Sequence, residues 1–308
     1  MGDPSRIARQ LSTDLEGDIR FIRKNVVPHR HHRLALPDFD VHLIDETRQK
    51  GGSFKYRGAI LGVRSNPRGV VAFGSGSFPI AVGLAAASLN VPALVVMPDD
   101  APPIKKTLAQ ESGSETRFVP RAAFAQIVQA EASTRGWQVL HPFQDPQMLV
   151  GSCSLGFELA SEIESLGSAS DPVLVACGGG GLAAGVALGL RLKGADNPVY
   201  AVEPVHYPSL AAALAAGQPA QIEPSGLTTC DALRVTQIGA LAFDTMRTVG
   251  VTATTATDAG VAAAQSLLAG ACGIRAEPSG ALALAALLEN RVPANGGRAW
   301  AIVCGGNA

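Results

Sequence analysis

The chain has 308 residues, of which 47% are hydrophobic, 5% are aromatic and 34 are glycine, and its net charge is −1. This length predicts about two domains, and the apolar content excludes an intrinsically disordered chain. Because the sequence has no long basic run and no unbroken apolar stretch, we expect neither a nucleic-acid partner nor a membrane span.

The predicted strands are short, apolar and rich in β-branched residues, and stretches rich in Ala and Leu with helical spacing lie between them. Strands that are apolar throughout and alternate with helices are typical of parallel sheets covered on both faces. The sequence therefore predicts an α/β fold with two open parallel-sheet domains covered by helices. The strands are expected at Gly69–Phe73, Ala93–Met97, Val173–Cys177, Val199–Val202 and Ala299–Cys304, and the helices at Ile80–Ser88, Leu182–Leu192, Val261–Leu268 and Gly280–Glu289.

A segment with two prolines and an aspartate, residues 141–151, separates the two series of strands and helices. We place a domain boundary near residue 150 and expect the first forty-odd residues to return to the second series. The predicted large domain comprises residues 1–44 and 151–308. The predicted small domain comprises residues 45–150.

The five cysteines are odd in number and widely spaced, with no pair in a CxxC arrangement. The N-terminal segment is charged throughout and has no apolar stretch of the kind found in secretory signals. These two features predict reduced thiols and a cytoplasmic location. We expect Cys153, Cys230 and Cys272 to be small buried side chains.

A lysine, Lys55, follows a Gly-Gly-Ser turn and enters a predicted helix. At a helix N-terminus the positive end of the dipole disfavours an ammonium group, which lowers the lysine pKa and makes the amine a better nucleophile. Taken alone, the same pattern is also typical of an exposed lysine in a first helical turn.

Four consecutive glycines, residues 178–181, lie between a predicted strand and a predicted helix. Their bare backbone N–H groups can approach a phosphate closely, with the helix dipole behind them. No Lys-Ser or Lys-Thr pair follows, so the segment is not the P-loop of nucleotide-binding proteins. A flexible turn is the alternative, but four glycines would make such a turn costly in entropy.

Two further junctions carry candidate ligand groups. Residues 73–79 connect a strand to a helix with small residues that suit a carboxylate, although a plain turn would have the same composition. Cys304 ends the last predicted strand, and ligands of α/β sheets lie at such strand ends. A reactive lysine together with a separate phosphate site is what pyridoxal 5′-phosphate requires.

The order of these motifs resembles the fold type II, or β-family, of pyridoxal-phosphate enzymes, in particular the serine/threonine dehydratases and serine racemases. The resemblance extends from Leu43 onward and implies a tryptophan synthase β-like fold with pyridoxal 5′-phosphate as the cofactor. The matching segments are Gly52–Ala59, Leu94–Pro103, Gly178–Leu182, Glu203–Pro204, Glu277–Ala281 and Cys304–Asn307.

The resemblance implies roles for individual residues. Lys55 is expected to form the Schiff base and to take the α-proton of the substrate, and Cys304 is expected to face the pyridine nitrogen. A neutral thiol there does not hold the ring protonated, which favours β-elimination over transamination. The expected cofactor-binding residues are Phe54, Lys55, Ser77, Gly178, Gly179, Gly180, Gly181, Leu182, Glu277 and Cys304.

The same resemblance implies that the loop after the first strand of the small domain binds the substrate carboxylate. Its residues are Ser75, Gly76, Ser77 and Phe78, and Ser75 is the second expected catalytic residue, on the ring face opposite Lys55. This loop departs from the family pattern, because Ser77 and Phe78 stand where the family usually has Asn and His.

Metal ligands are not predicted. The acidic residue that completes the family's metal site after Glu203–Pro204 is missing. In a separate departure from the family pattern, Ala232 stands where these enzymes commonly have Gly. The histidine-rich segment His29–His32 fits no zinc spacing, and we expect it to be a solvated loop.

The sequence therefore predicts a lyase that deaminates a β-hydroxy amino acid (serine, threonine or 3-hydroxyaspartate) to a 2-oxo acid and ammonia. An amino-acid racemase, a β-replacement enzyme and a weakly active relative that binds pyridoxal phosphate are the alternatives on the same scaffold. A homodimer is expected from the resemblance alone.

Overall fold

The structure, a computed structural model, describes residues 2–293 and 297–306. It contains two β-sheets flanked by helices, which confirms the predicted fold class. Local sequence signals explain several helix starts, since proline occupies the first turn of the helices that begin at Pro146 and Pro278. The helices are α1 Pro4–Leu11, α2 Leu15–Asn25, α3 Lys55–Arg64, α4 Ser77–Leu89, α5 Pro103–Gln110, α6 Phe124–Arg135, α7 Pro146–Leu166, α8 Gly181–Leu192, α9 Ser209–Ala216, α10 Ala240–Val249, α11 Asp258–Cys272 and α12 Pro278–Leu288.

The strands form a six-stranded and a four-stranded sheet. The larger sheet has the order β1-β2-β10-β7-β8-β9, in which β1 runs antiparallel to β2 and the other neighbours are parallel. The smaller sheet has the order β5-β4-β3-β6 and is parallel throughout. The strands are β1 Arg30–Ala35, β2 Asp40–Asp45, β3 Val70–Phe73, β4 Ala93–Pro98, β5 Glu115–Val119, β6 Gln138–Leu140, β7 Val173–Ala176, β8 Val199–Pro204, β9 Val251–Ala256 and β10 Arg298–Val303.

All five predicted strands are confirmed within two residues, as β3, β4, β7, β8 and β10. The five strands that the sequence did not predict include the four at the sheet edges, β1, β5, β6 and β9. Edge strands are half-exposed, so they lack the continuous apolar run on which the prediction depends. The N-terminal strands β1 and β2 join the larger sheet, as the sequence led us to expect for the first forty-odd residues.

Two helices, α3 and α8, pack on α7 with backbone-to-backbone contact through glycines. A methyl group added at Gly151 would lie 2.2 Å from the backbone nitrogen of Gly58, so α7 touches α3 there. One added at Gly185 would lie 2.5 Å from the carbonyl oxygen of Leu149, so α7 touches α8 in the same way. These close contacts require glycine at both positions and so account for part of the chain's 34 glycines.

All five cysteines are free, as predicted. Cys272 is half-buried, so the expectation that it is a buried side chain is wrong for this residue, whereas Cys153 and Cys230 are fully enclosed. Among the described residues, no helix is both long and apolar enough to cross a membrane.

The expectation of a solvated loop at His29–His32 is wrong. Strand β1 begins at Arg30, and the His29 side chain is only 9% exposed. Its Nδ1 lies 3.0 Å from Glu158 and its Nε2 2.5 Å from Glu162, both on α7. Burial alone would lower the pKa of His29, but the hydrogen bonds to these two carboxylates outweigh it and raise the pKa to about 9.

This buried histidine predicts a loss of stability in mild alkali. The pKa of His29 is raised from 6.5 to about 9 in the folded chain, so its contribution is fully present below pH 6.5 and is lost as the pH rises through 9. At 1.36 kcal/mol per pKa unit, the loss is about 3 kcal/mol of unfolding free energy. Urea unfolding at several pH values would measure it. The variant His29→Gln should have a flatter profile between pH 6.5 and 9, and an identical profile would contradict the assignment.

Candidate active site

One cavity of about 220 Å³ lies where the carboxyl ends of β3, β7 and β10 meet loops from both sheets. Ligands of open α/β sheets bind at such strand ends. Every residue singled out from the sequence as a cofactor, catalytic or substrate-carboxylate residue lines this cavity, namely Phe54, Lys55, Ser75, Gly76, Ser77, Phe78, Gly178, Gly179, Gly180, Gly181, Leu182, Glu277 and Cys304.

Lys55 is placed in the cavity by a turn that is tied to the end of β10. Gly51 and Gly52 adopt φ values of +72° and +71°, which favour glycine, and the turn they form leads directly into α3. The backbone nitrogen of Phe54 donates to the carbonyl oxygen of Cys304 at 3.1 Å, and Ser53 forms a β-bridge with Gly305. The lysine therefore begins α3 at a fixed distance from the end of β10.

The amine of Lys55 is partly buried. Desolvation lowers its pKa below the usual range, and the nearby Cys304 and Glu277 offset part of that shift. Its Nζ lies 4.5 Å from the ring centre of Phe54. A lysine with a lowered pKa has a larger fraction of neutral amine, which is the nucleophilic form.

The four-glycine segment connects β7 to α8. Gly180 has φ +90°, and a methyl group there would lie 2.8 Å from Cβ of Ala242, so both backbone shape and space require glycine. A methyl group at Gly179 would lie 2.2 Å from the ring of Phe143. The helix N-terminus behind these glycines and their bare N–H groups form a surface suited to an anion.

The second loop leads from β3 into α4. Gly74 adopts φ +140°, and Gly76 precedes the first residue of the helix, Ser77. Ser77 and Phe78 are buried at the helix start, 8% and 4% exposed. The first residues of α4, beside the smaller sheet, and of α8, beside the larger one, thus line the same cavity.

Cys304, Glu277 and Ser279 form the wall beside β10. The Cys304 thiol donates to the carbonyl oxygen of Ser279 at 3.6 Å. Burial and the neighbouring Glu277 raise the pKa of Cys304 to about 12, so this thiol is neutral at physiological pH. Burial also raises the pKa of Glu277 above its usual range.

Three buried polar atoms on this cavity have no hydrogen-bond partner among the described residues. They are Oγ of Ser53, Oε2 of Glu277 and Oγ of Ser279. Buried polar groups in folded proteins are almost always paired, so such a cluster is typical of a ligand site. Together with the reactive amine and the glycine surface, these groups fit a cofactor that carries an aldehyde, a phosphate and a ring nitrogen.

Sequence reasoning missed several residues of the cavity. Pro142 and Phe143 come from the segment interpreted as a domain boundary, and Asp231, Leu233 and Val235 come from an irregular segment before α10. None of them lies in a glycine-rich motif at a strand end. The departure at Ala232 was the one signal that pointed to the second segment.

Among the described residues, no group of three or more His, Cys, Asp or Glu side chains is placed to hold a metal ion. Glu203, which lies at the end of β8, instead accepts hydrogen bonds from the backbone nitrogens of Leu210 and Ala211 at 2.6 Å and 3.1 Å, and thereby binds the start of α9. Burial raises its pKa to about 7, although these bonds favour the charged form. Asn307, in the last matching motif, lies outside the described residues.

The chain is similar to known proteins over most of its length. The chain is 31% identical over 297 residues to an L-threonine ammonia-lyase of Geobacter sulfurreducens, covering 93% of this chain and 72% of that protein. It is 31% identical over 269 residues to an L-threo-3-hydroxyaspartate ammonia-lyase of Pseudomonas sp, covering 85% of this chain and 83% of that protein.

Among solved structures, a threonine deaminase of T.th. is similar with a TM-score of 0.88 and 32% identity, covering 96% of this chain and 98% of that one. Maize serine racemase is similar with a TM-score of 0.87 and 25% identity, covering 96% and 93%. The family model described as pyridoxal-phosphate dependent enzyme matches residues 28–305. With a matched region of this extent, the chain belongs to the family of pyridoxal-phosphate dependent enzymes.

Proposed function

We propose that the protein is an ammonia-lyase that converts a β-hydroxy amino acid to a 2-oxo acid and ammonia by β-elimination. The observation that carries the proposal is the meeting of Lys55, the glycines 178–181 and Cys304 in one cavity. The relatives named as ammonia-lyases of threonine and 3-hydroxyaspartate support the reaction class.

Pyridoxal 5′-phosphate, when bound, supplies an electron sink that makes the α-hydrogen of an amino acid acidic. We propose that Lys55 holds the aldehyde end and that the N–H groups of residues 178–181 and Leu182 bind the phosphate. Phe54, Ser77 and Glu277 complete the contacts to the ring. The Cys304 thiol is neutral, so it would not keep the ring nitrogen protonated. This favours β-elimination over transamination.

The other residues have roles in proton transfer and substrate orientation. Lys55 would take the proton from the α-carbon, and the β-hydroxyl would leave as water with a proton that Ser75 donates from the opposite side. The proton on Lys55 would then return to Ser75 through solvent, so that both groups regain their starting protonation states. The remaining enamine takes up water and releases ammonia. The start of α4, with Ser75, Gly76, Ser77 and Phe78, orients the substrate carboxylate.

Racemisation of an amino acid is the second candidate, because the serine racemase fold is also matched at a TM-score of 0.87. A screen of amino acids with the loaded enzyme distinguishes the two reactions. Ammonia with a 2-oxo acid from serine, threonine or 3-hydroxyaspartate is the expected result. The opposite enantiomer without ammonia would favour racemisation, and no reaction with any of them would contradict both.

The four-glycine segment, residues 178–181, predicts a measurable effect on the affinity for the cofactor. Gly179→Ala should weaken the affinity for pyridoxal 5′-phosphate at least tenfold, about 1.4 kcal/mol, because the new methyl group would lie 2.2 Å from the Phe143 ring. Titration of the apoprotein with the cofactor, followed by absorbance, measures the affinity. Gly270→Ala is the matched control, since that glycine has no neighbour within 4 Å. Equal affinities in the two variants would contradict the placement of the phosphate.

We further propose that the two sheets belong to two domains, one of residues 1–44 and 151–308 and one of residues 45–150. We also propose a homodimer, which the family resemblance implies, and a cytoplasmic location, which the free cysteines support. Sedimentation analysis of the loaded enzyme would test the dimer, and a monomer at micromolar concentration would contradict it.

A further inference from the structure

The charges around the cavity are unevenly distributed. Of its described lining residues, Lys55 is the one with a basic side chain, and its amine is assigned to the cofactor. Two lining residues, Asp231 and Glu277, are acidic. A substrate group that carries a negative charge in addition to the α-carboxylate would therefore find no free cation on the described cavity wall.

Asp231 is held at this wall by Lys105, which lies on α5 beside the smaller sheet. Its Oδ2 lies 3.2 Å from Nζ of Lys105 on α5, and its Oδ1 accepts from the backbone nitrogen of Ala232 at 2.8 Å. The Lys105 side chain is only 6% exposed and does not line the cavity, whereas that of Asp231 is 40% exposed and does. Asp231 thus belongs to the cavity lining and pairs with a cation that does not.

Part of the wall is apolar, although Ser53, Ser75, Ser77 and Ser279 also line the cavity. Phe73, Phe143, Leu233 and Val235 line the cavity beside Asp231. These apolar side chains can pack against a hydrogen or a methyl group on the substrate's β-carbon, because neither substituent has hydrogen bonds to water to lose. These four side chains offer nothing that would replace the water around a second carboxylate.

We propose that Asp231, fixed by Lys105, makes this site select β-hydroxy amino acids with an uncharged side chain and reject those with a second carboxylate. This inference rests on the proposed ammonia-lyase reaction and specifies its substrate class. Among the ammonia-lyase substrates in the names of the relatives, it favours threonine over 3-hydroxyaspartate. If Asp231 is neutralised, Lys105 becomes available to pair with a second carboxylate.

The test compares two substrates of the same shape, L-threo-3-hydroxyasparagine and L-threo-3-hydroxyaspartate, which differ only in the charge of the side-chain group. Ammonia release should give a kcat/KM at least tenfold higher for the amide in the natural enzyme. Asp231→Asn should shift the ratio at least tenfold toward the acid. In the double variant Asp231→Asn with Lys105→Met, that shift should disappear, because the pairing cation is gone.

Two positions outside the cavity lining supply matched controls. Asp244→Asn removes an acid on α10 that pairs with Arg247, and Lys106→Met removes the lysine next to Lys105, which binds the carbonyl oxygen of Asp99. Both should leave the substrate ratio unchanged. A substrate ratio in Asp231→Asn equal to that of the natural enzyme would overturn the proposal.

A measurement on the natural enzyme keeps the proposal testable if the Asp231 variants do not fold. L-Asparagine should inhibit threonine deamination at least tenfold more strongly than L-aspartate. Faster deamination of the acid than of the amide, or tighter binding of aspartate, would overturn the specificity and leave the ammonia-lyase reaction standing. Absence of ammonia from every substrate, with the cofactor bound, would instead contradict the proposed reaction itself.

Discussion

Replacing Lys55 by alanine is expected to lower the rate of ammonia release by about 10³-fold or more, the range of a lost proton-transfer group. It should also remove the visible absorption band that the cofactor acquires when it is linked to a lysine. The reason is that Lys55 is the one amine on the described wall of the cavity, with a pKa lowered chiefly by burial. Absorbance, borohydride reduction and peptide mapping measure the linkage.

Lys50→Ala is the matched control for this variant. Lys50 lies five residues earlier, is exposed, and donates to the carbonyl oxygen of Asn25, outside the cavity. It should keep both the band and most of the activity. A Lys55→Ala protein that keeps the band would show that another amine holds the cofactor.

Replacing Arg57 by leucine is expected to lower the free energy of unfolding by about 3–5 kcal/mol, as when one partner of a buried ion pair is removed. Arg57 lies on α3 with no exposed side-chain surface and donates to both Glu46 and Glu158. Both carboxylates would remain, and Glu46 is fully buried. Urea unfolding measures the loss.

Arg64→Leu serves as the comparison on the same helix. Arg64 is 47% exposed and pairs with Asp18 at 3.5 Å, so its loss should cost less than about 1 kcal/mol. Similar losses in the two variants would contradict the idea that the buried charges set the stability of α3. A small loss of unfolding free energy in Arg57→Leu would mean that Glu46 and Glu158 become protonated in the folded variant at little cost.

The interior of the fold was predictable because its strands are buried on both faces. β3, β4, β7, β8 and β10 are largely apolar runs, and such runs mark parallel strands inside a sheet. The edge strand β1 reads Arg-His-His-Arg-Leu-Ala, and neighbouring strand β2 determines its pairing. A sequence pattern of this kind cannot be distinguished from a loop without the partner strand.

The cavity residues likewise divide into those that a local sequence motif predicts and those that only tertiary packing brings to the cavity. Lys55 and the glycines 178–181 lie in short motifs whose backbone requirements can be recognised from consecutive residues. Asp231 and Phe143 enter the cavity only because two distant segments fold against it. His29 likewise becomes buried through Glu158 and Glu162, more than a hundred residues away. Such contacts depend on tertiary packing and leave no local pattern.

The contact of α7 with α3 and α8 determines how far Lys55 lies from the four-glycine segment, residues 178–181. Lys55 begins α3 and Gly181 begins α8, and both helices approach the backbone of α7 through glycines, without an intervening side chain. The distance from the Lys55 amine to the glycines 178–181 therefore depends on how closely these helices can approach α7. A larger residue at Gly151 would lengthen that distance. In such a variant, the separation of the Lys55 amine from the glycines 178–181, rather than the reactivity of the amine, would limit cofactor binding.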